Sequence, residues 1–302
     1  MRLCQAERRH AARVWHTAGV SVDRRRSLPP EPQPENQGSP AVATEGLTRR
    51  FDQLLAVDHL DLTVARGAFY GLLGSNGAGK TTMIRMLTTL LPPTSGTARV
   101  SGFDVVRQPR EVRRRIGYVP QLLSADAGLT GRENLMLSAR LYAIPPLERR
   151  ERIEEALAFM GLAEFADSLV KTYSGGMIRR LEIAQSMLHR PAVLFLDEPT
   201  VGLDPRARHA VWDRLRELRE RYGTSVLLTT HDMEEADALC DFITLLHRGR
   251  VAVSGAPDAL KAAIGKDATM DDVFVAHTGG TMEETGSYRE VARTRITAHR
   301  LE

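Results

Sequence analysis

The sequence predicts an α/β fold in which helices cover a mostly parallel β-sheet and a second, helical unit is inserted into it. Three short apolar runs carry this prediction, residues 68–73 (AFYGLL), 192–196 (AVLFL) and 225–230 (SVLLTT), each bounded by Gly, Pro or charge. Continuous apolar character, as opposed to alternation, is typical of strands buried on both faces of a parallel sheet. Helical stretches separate the runs, as parallel strands require.

The segment between residues 122 and 190 is almost wholly helical in its pattern. Leu135, Ser138, Leu141 and Tyr142 recur there at helical intervals, as on one face of a helix. We therefore expect a helical subdomain over about residues 122–190, inserted into one domain that spans residues 41–279.

The two ends of the chain differ from this domain in composition. Residues 1–40 are rich in Arg and then in Pro, which predicts an extended or disordered tail because proline fixes the backbone and lacks the amide donor. Residues 280–302 are predicted to form a polar C-terminal tail. No internal repeat is apparent, so one copy of the domain is expected.

Charge and cysteine content exclude several functions. The net charge is +3, but the first 26 residues hold seven arginines and two acids, so the remainder is slightly acidic and no nucleic-acid partner is expected. The two cysteines, Cys4 and Cys240, show no C-x-x-C spacing, which argues against a disulfide framework and a zinc site. No run of about 18 apolar residues predicts a membrane-spanning helix.

A phosphate-binding loop is predicted directly after the first apolar run. Residues 74–81 read GSNGAGKT, the G-x-x-x-x-G-K-[ST] pattern in which backbone amides and a helix N-terminus face phosphate oxygens. Lys80 is expected to reach the β and γ phosphates, and the Thr81 hydroxyl to ligate Mg²⁺. The residues assigned to nucleotide binding here are Gly74, Ser75, Asn76, Gly77, Ala78, Gly79, Lys80, Thr81 and Thr82.

A second site follows the apolar run Leu194-Phe195-Leu196. Asp197 and Glu198 end this run and resemble a Walker B pair. Asp197 is expected to hold Mg²⁺, and Glu198 to orient and deprotonate the attacking water. Together with the loop, these residues predict a P-loop NTPase that uses ATP and Mg²⁺.

One motif makes the resemblance to a family specific. Tyr173-Ser174-Gly175-Gly176-Met177 opens a helical run shortly before the Walker B strand and resembles the signature of the ATP-binding-cassette (ABC) ATPases. Met177 departs from the glutamine that many members carry. The resemblance covers residues 42–279 and implies an ABC ATPase core with an antiparallel β subdomain beside the parallel sheet and the inserted helical subdomain.

Four further positions match the family in its order. By resemblance, Phe51 stacks on adenine, Gln121 is the Q-loop glutamine that contacts Mg²⁺, and Asp204 is the D-loop aspartate at a dimer interface. His231 resembles the switch histidine that helps to position the water near Glu198. The expected catalytic residues are thus Glu198, His231 and Gln121, and the expected metal ligands are Thr81, Gln121 and Asp197.

The resemblance also implies partners. In the family the signature residues Ser174, Gly175 and Gly176 reach the ATP held by another subunit, which predicts a homodimer of ATPase subunits. A separately encoded transmembrane permease is expected, with the chain peripheral on the cytoplasmic side of the cell membrane. Tyr173–Met177 and residues 270–279 (MDDVFVAHTG) resemble the daunorubicin-resistance branch, which predicts export of a hydrophobic, drug-like compound.

Three other functions compete with this interpretation. The main alternative is a soluble ABC ATPase that acts on the ribosome or on nucleic acid, but one cassette without sustained heptads or cysteine clusters disfavours it. A P-loop kinase or GTPase has no use for the signature motif, and no N-K-x-D guanine-reading motif is present. An inactive cassette is disfavoured by Lys80, Glu198 and His231.

Overall fold

The computed structural model of this chain describes residues 39–279. The predicted tails lie outside the described residues except for Ser39 and Pro40, and the predicted domain boundaries stay predictions.

A six-stranded sheet forms the centre of the fold. Its strands are β3 (Phe69–Leu73), β6 (Ile116–Val119), β7 (Val193–Asp197), β8 (Ser225–Thr230), β9 (Phe242–His247) and β10 (Arg250–Gly255). Their spatial order is β10-β9-β3-β8-β7-β6. All neighbours pair in parallel except β10, which is antiparallel to β9. The mostly parallel sheet predicted from the three apolar runs is confirmed.

A second sheet is antiparallel and contains four strands. These are β1 (Val42–Phe51), β2 (Leu54–Val64), β4 (Ser95–Val100) and β5 (Phe103–Asp104), in the order β2-β1-β4-β5. This is the antiparallel β subdomain that the family resemblance implied.

The helices fall into two groups. One group lies outside the predicted helical subdomain and contains six helices within the described range. These are α1 (Lys80–Leu87), α2 (Pro109–Arg115), α6 (Pro205–Tyr222), α7 (Met233–Leu239), α8 (Pro257–Ile264) and α9 (Met270–Thr278). Three lie in the predicted helical subdomain: α3 (Gly131–Leu141), α4 (Pro146–Phe159) and α5 (Gly175–Met187).

Burial on both faces explains the continuous apolar strands. In β7, Leu194 and Leu196 join one core cluster, with residues of the helical subdomain and of α6, α7 and α9. Val193 and Phe195 join the other cluster, with residues of α1 and the antiparallel sheet. Successive strand residues point to opposite faces, so the residues that face each side of the sheet must be apolar. The carboxyl ends of β3, β7 and β8 then meet along one edge, where the predicted site residues follow them.

Candidate ATP-binding site

The loop between β3 and α1 depends on glycine. Gly74, Gly77 and Gly79 have φ angles of 153°, 80° and 107°, values that side chains with a Cβ rarely adopt. At Gly79 a Cβ would also lie 2.4 Å from the carbonyl oxygen of Ala56. Glycine therefore lets the loop curl closely against β2. Within the described part of the chain, no hydrogen bond uses the backbone amides of Asn76, Gly77 or Gly79, which leaves these donors for phosphate oxygens.

Lys80 is the buried cation of this loop. Its side chain is 4% exposed, and its Nζ donates hydrogen bonds to the carbonyl oxygens of Gly74 (2.6 Å) and Ser75 (3.2 Å). Burial lowers the pKa of Lys80, and the carboxylates of Glu198 and Asp197 partly oppose this shift. The ammonium thus lies under the loop, where a phosphate needs a countercharge.

Asp197 and Thr81 supply adjacent oxygen ligands. The Thr81 hydroxyl donates a 3.1 Å hydrogen bond to Asp197 Oδ1, and Asp197 is buried at the end of β7. Burial raises the pKa of Asp197, while the hydrogen bonds from Thr229 and Thr81 lower it. A carboxylate and a hydroxyl at this spacing fit Mg²⁺, which prefers oxygen and is usually held by few protein ligands together with phosphates.

Thr229 fixes both acidic residues and was missed in the sequence. Its hydroxyl donates to Asp197 Oδ1 at 2.6 Å and accepts a 3.0 Å hydrogen bond from the backbone amide of Glu198. The pairing of β7 with β8 places Thr229 opposite Asp197. A polar pair, Thr229-Thr230, at the end of an apolar strand was the signal that could have found it.

Glu198 lies at the centre of the converging side chains. Its backbone has a φ of 49°, a costly conformation for a residue with a Cβ and one that recurs at active sites. The Gln121 side-chain amide donates a 2.9 Å hydrogen bond to Glu198 Oε2. Lys80 Nζ and His231 Nδ1 each lie 3.3 Å from Oε1.

The pKa of Glu198 reflects these neighbours. Burial raises it, but the adjacent His231 ring and the Lys80 ammonium outweigh burial, so the pKa is lower than usual. The His231 Nδ1 atom is buried and, despite its closeness to Glu198, no acceptor meets it in hydrogen-bond geometry. The carboxylate is therefore held ionised, in the form that a general base requires.

The signature residues lie at the start of α5. The Ser174 hydroxyl accepts a 3.3 Å hydrogen bond from the Met177 amide and so caps the helix. Ser174 and Gly175 are exposed, whereas Gly176 is buried, and a Cβ at Gly176 would lie 2.8 Å from Ala207 Cβ. The side chain of Met177, at the position where the family often has glutamine, packs against the core.

Asp204 begins the neighbouring helix. Its carboxylate caps α6 by accepting a 2.9 Å hydrogen bond from the Ala207 amide, and the residue is exposed. The signature and Asp204 thus lie on adjacent helix starts, joined through Ala207. No hydrogen bond in the range 39–279 joins Ser174 to the phosphate loop.

Phe51 is the last residue of β1, and its side chain is 39% exposed. The Arg49 guanidinium lies 4.5 Å from the centre of its ring. Beyond the turn, β2 carries Ala56, whose carbonyl oxygen borders Gly79. The ring is therefore on the strand pair that adjoins the phosphate loop, and adenine stacking stays a prediction.

The predicted site residues therefore form two separate groups in the structure. Around the phosphate loop the fold gathers Lys80, Thr81, Gln121, Asp197, Glu198 and His231. The signature residues and Asp204 form a separate surface group. Over the described stretch no cluster of three or more His, Cys, Asp or Glu side chains forms a metal site, and no described helix is both long and apolar enough to cross a membrane.

The fold and this site define an ATPase of the P-loop type that carries an ABC signature helix. Residues 57–201 match the family model for the ABC transporter. The chain belongs to the ABC transporter family, as an ATP-binding subunit. This confirms the resemblance drawn from the sequence, and with it ATP as the ligand and ATP hydrolysis coupled to transport as the activity.

Two relatives indicate which ABC ATP-binding proteins this chain resembles in sequence. The chain is 51% identical over 231 residues, 76% of its length and 70% of the relative's, to the daunorubicin/doxorubicin resistance ATP-binding protein DrrA of Streptomyces peucetius. It is 43% identical over 229 residues, 76% of its length and 71% of the relative's, to the Nod factor export ATP-binding protein I of Ralstonia nicotianae.

Solved structures agree on the fold. The ATP-binding subunit of an ABC transporter superposes with a TM-score of 0.70 at 30% identity, covering 78% of this chain and 98% of that one. A dimeric, post-hydrolysis structure of the ATP-binding cassette MJ0796 with ADP and Pi gives a TM-score of 0.64 at 27% identity, covering 71% and 98%. ATP-binding subunits of this family work with separate membrane subunits.

Proposed function

We propose that this subunit hydrolyses Mg²⁺·ATP as a homodimer, on the cytoplasmic side of the cell membrane, to power export of a hydrophobic, drug-like compound through a separately encoded permease. The observation that carries the cargo is the 51% identity to a daunorubicin/doxorubicin resistance protein. The direction is supported by the Nod factor relative, which is named for export.

The binding half of the mechanism rests on the phosphate loop. The free amides of the loop and the Lys80 ammonium bind the β and γ phosphates, and the N-terminus of α1 adds its positive dipole end. Thr81 and Asp197, 3.1 Å apart, are the residues that would hold Mg²⁺, with Gln121 as the further ligand that the family resemblance implies. At these residues Mg²⁺ would supply positive charge that offsets the charge of the phosphate oxygens.

The hydrolytic half rests on Glu198. As the general base it takes a proton from the attacking water, and its lowered pKa keeps it ionised for this purpose. Gln121 fixes the orientation of the carboxylate through Oε2. His231 Nδ1 lies 3.3 Å from Glu198 Oε1, so the ring is held beside the general base, where it can orient the water and the γ phosphate.

The separation of the two groups of residues supports the proposal of a homodimer. Ser174, Gly175 and Asp204 are exposed, and the start of α5 that Ser174 and Gly175 form is an anion-binding feature. One chain carries one phosphate loop and one signature, so two identical chains related by a two-fold axis satisfy both sites of each. The MJ0796 cassette, which was solved as a dimer, supports a dimeric assembly.

Transport is tested by co-expressing the subunit with the membrane protein encoded beside it. We expect co-purification and efflux of a fluorescent anthracycline from cells that carry the parent subunit, but not from cells that carry Glu198→Gln. Failure to co-purify contradicts the permease partnership, and co-purification with unchanged efflux contradicts only the drug assignment.

The alternative function is tested with the same protein. Stimulation of ATP hydrolysis by RNA, DNA or ribosomes, without any effect of the membrane protein, would favour a soluble ABC ATPase. Sedimentation of the Glu198→Gln variant with and without Mg²⁺·ATP tests the homodimer, which is expected only with the nucleotide.

A further inference from the structure

A buried ion pair on α5 does not belong to the ATP-site residues described above but lies beside one of them, Gln121. The side chains of Arg179 and Glu182 are each 2% exposed, and Arg179 Nη1 lies 3.1 Å from Glu182 Oε2. Neither residue faces solvent, so the pair is part of the interior between the helical subdomain and the sheet. Burial lowers the pKa of Arg179, whereas the nearby carboxylates oppose this effect.

Both side chains are bound to the segment that contains Gln121. Arg179 donates hydrogen bonds to the carbonyl oxygens of Pro120 (2.7 Å) and Gln121 (2.9 Å). Glu182 Oε1 accepts from the backbone amide and the hydroxyl of Ser124 and from the Ala125 amide (3.3 Å). The pair thus binds both ends of residues 120–125.

The energetics of such a pair point to positioning more than to stability. Taking two charges out of water costs several kcal/mol each, and apolar residues of similar volume often stabilise a fold equally well. The planar guanidinium can, however, bridge two carbonyl groups with fixed geometry. Here it bridges Pro120 and Gln121, the end of β6 and the start of the loop.

We propose that Arg179 and Glu182 are positioning residues that hold Gln121 against Glu198 and make Gln121 move together with α5. The connection is continuous: Ser174 caps α5, Arg179 on that helix binds the Gln121 backbone, and the Gln121 amide binds Glu198. A displacement of the signature helix is then transmitted to the general base through residues 120–125. The inference rests on the role proposed above for Gln121.

The first test is a double replacement, Arg179→Met with Glu182→Met. Removing both partners leaves no buried unpaired charge, but it frees the backbone groups of residues 120–125 that the pair binds. We therefore expect a lower melting temperature with the fold retained, because each freed group costs about 1 to 3 kcal/mol at most. Because small misplacements of positioning groups reduce rates up to about a hundredfold, we expect kcat for ATP to fall by roughly tenfold to a hundredfold, with KM changed by less than about twofold.

A cycle with Gln121→Ala tests the route of the effect. If the pair acts through Gln121, the triple variant has the same kcat as Gln121→Ala alone, because residues that act as one unit are not additive. Losses that multiply would overturn the inference. A parent-like rate for Gln121→Ala would instead contradict the role proposed for Gln121, and the following measurement would still decide about the pair.

A spin label at Leu122→Cys measures the order of the segment directly. Leu122 is 71% exposed, and Cys4→Ser leaves only Cys240, whose thiol is buried and has its pKa raised by burial, so that it does not react. We expect greater label mobility in the double-Met variant than in the parent. Unchanged mobility overturns the inference.

Arg180→Met is the matched control on the same helix. Arg180 donates to the Met160 carbonyl (2.8 Å) and not to residues 120–125, so label mobility and kcat should stay at parent values. If the double-Met variant does not fold, Arg179→Lys replaces it, since lysine keeps the charge beside Glu182 but lacks the fork that spans two carbonyls. Increased mobility supports the inference, and parent-like mobility overturns it.

Discussion

The Thr229 hydroxyl donates a 2.6 Å hydrogen bond to Asp197 Oδ1 and at the same time accepts one from the Glu198 amide. One buried oxygen on β8 thereby fixes both acidic residues at the end of β7. The site's metal ligand and its general base are oriented by a neighbouring strand as well as by their own.

Thr229→Val should weaken the use of Mg²⁺. Loss of the hydroxyl removes a hydrogen bond that lowers the pKa of Asp197, so a larger fraction of this buried carboxyl is protonated. Loss of a partner of a metal ligand typically costs about 10- to 100-fold in metal affinity. The measurement is hydrolysis rate against Mg²⁺ concentration. Thr229→Ser keeps the hydroxyl and should retain the parent requirement; an equal shift in both variants would contradict this role.

Glu198→Gln should abolish turnover but keep ATP binding. Loss of a general base costs about a hundredfold to ten-thousandfold in rate, while Lys80, Thr81 and the loop amides are unchanged. ATP that is bound but not hydrolysed should then stabilise the dimer. Phosphate release and sedimentation with Mg²⁺·ATP check both expectations, and a parent-like rate would exclude Glu198 as the base.

Lys80→Ala and Ser174→Ala should fail in different ways. Without the ammonium, the monomer should bind ATP roughly 10- to 100-fold more weakly. This range corresponds to the free energy of hydrogen bonds that involve a charged group. Ser174→Ala should leave monomer affinity unchanged and reduce hydrolysis, because the ligand of Ser174 belongs to the other subunit.

Ser174→Thr controls for the helix cap. Loss of the cap costs about 0.5 to 2 kcal/mol of stability, and threonine keeps it. Titration of a fluorescent ATP analogue at low protein concentration gives the affinities. Equal losses of affinity in Lys80→Ala and Ser174→Ala would contradict the arrangement across subunits.

Gly176→Ala should lower the melting temperature. The new Cβ would lie 2.8 Å from Ala207 Cβ, and this overpacking between α5 and α6 costs about 1 to 3 kcal/mol. Gly175→Ala is the control, since its Cβ would lie 3.4 Å from Leu203 Cδ2, an ordinary contact with a mobile methyl group. Thermal denaturation decides, and equal melting of both variants would refute the close packing.

The pKa of Glu198 should lie below its ordinary value of 4.5. Because the base acts ionised and kcat/KM reports the free enzyme, the acid limb that Glu198 causes in kcat/KM lies below that pH. Between about pH 5 and 8 the ionisation of Glu198 then leaves kcat/KM unchanged. His231→Ala removes a neighbour that lowers the pKa, so the carboxyl should titrate at higher pH. Carboxyl ¹³C NMR, assigned with Glu198→Gln, measures the shift; an unmoved pKa would contradict the coupling.

The fold class and the main chemistry could be predicted from local patterns of residues. Apolar runs without alternation predicted the buried parallel strands, because both faces of β3, β7 and β8 pack against core clusters. Local motifs predicted the phosphate loop and the acidic pair, since strand, loop and helix are continuous there. The signature was found in the same way, and α5 begins within the motif, at Gly175.

The residues that support this chemistry from other parts of the chain became visible in the folded protein. Thr229 bonds to Asp197 across 32 positions, and Arg179 to Gln121 across 58. Such contacts come from strand pairing and helix packing, and no local spacing encodes them. A buried Arg and a strand Thr resemble ordinary helix and strand residues in the sequence, because their partners are backbone groups and side chains that folding alone brings near.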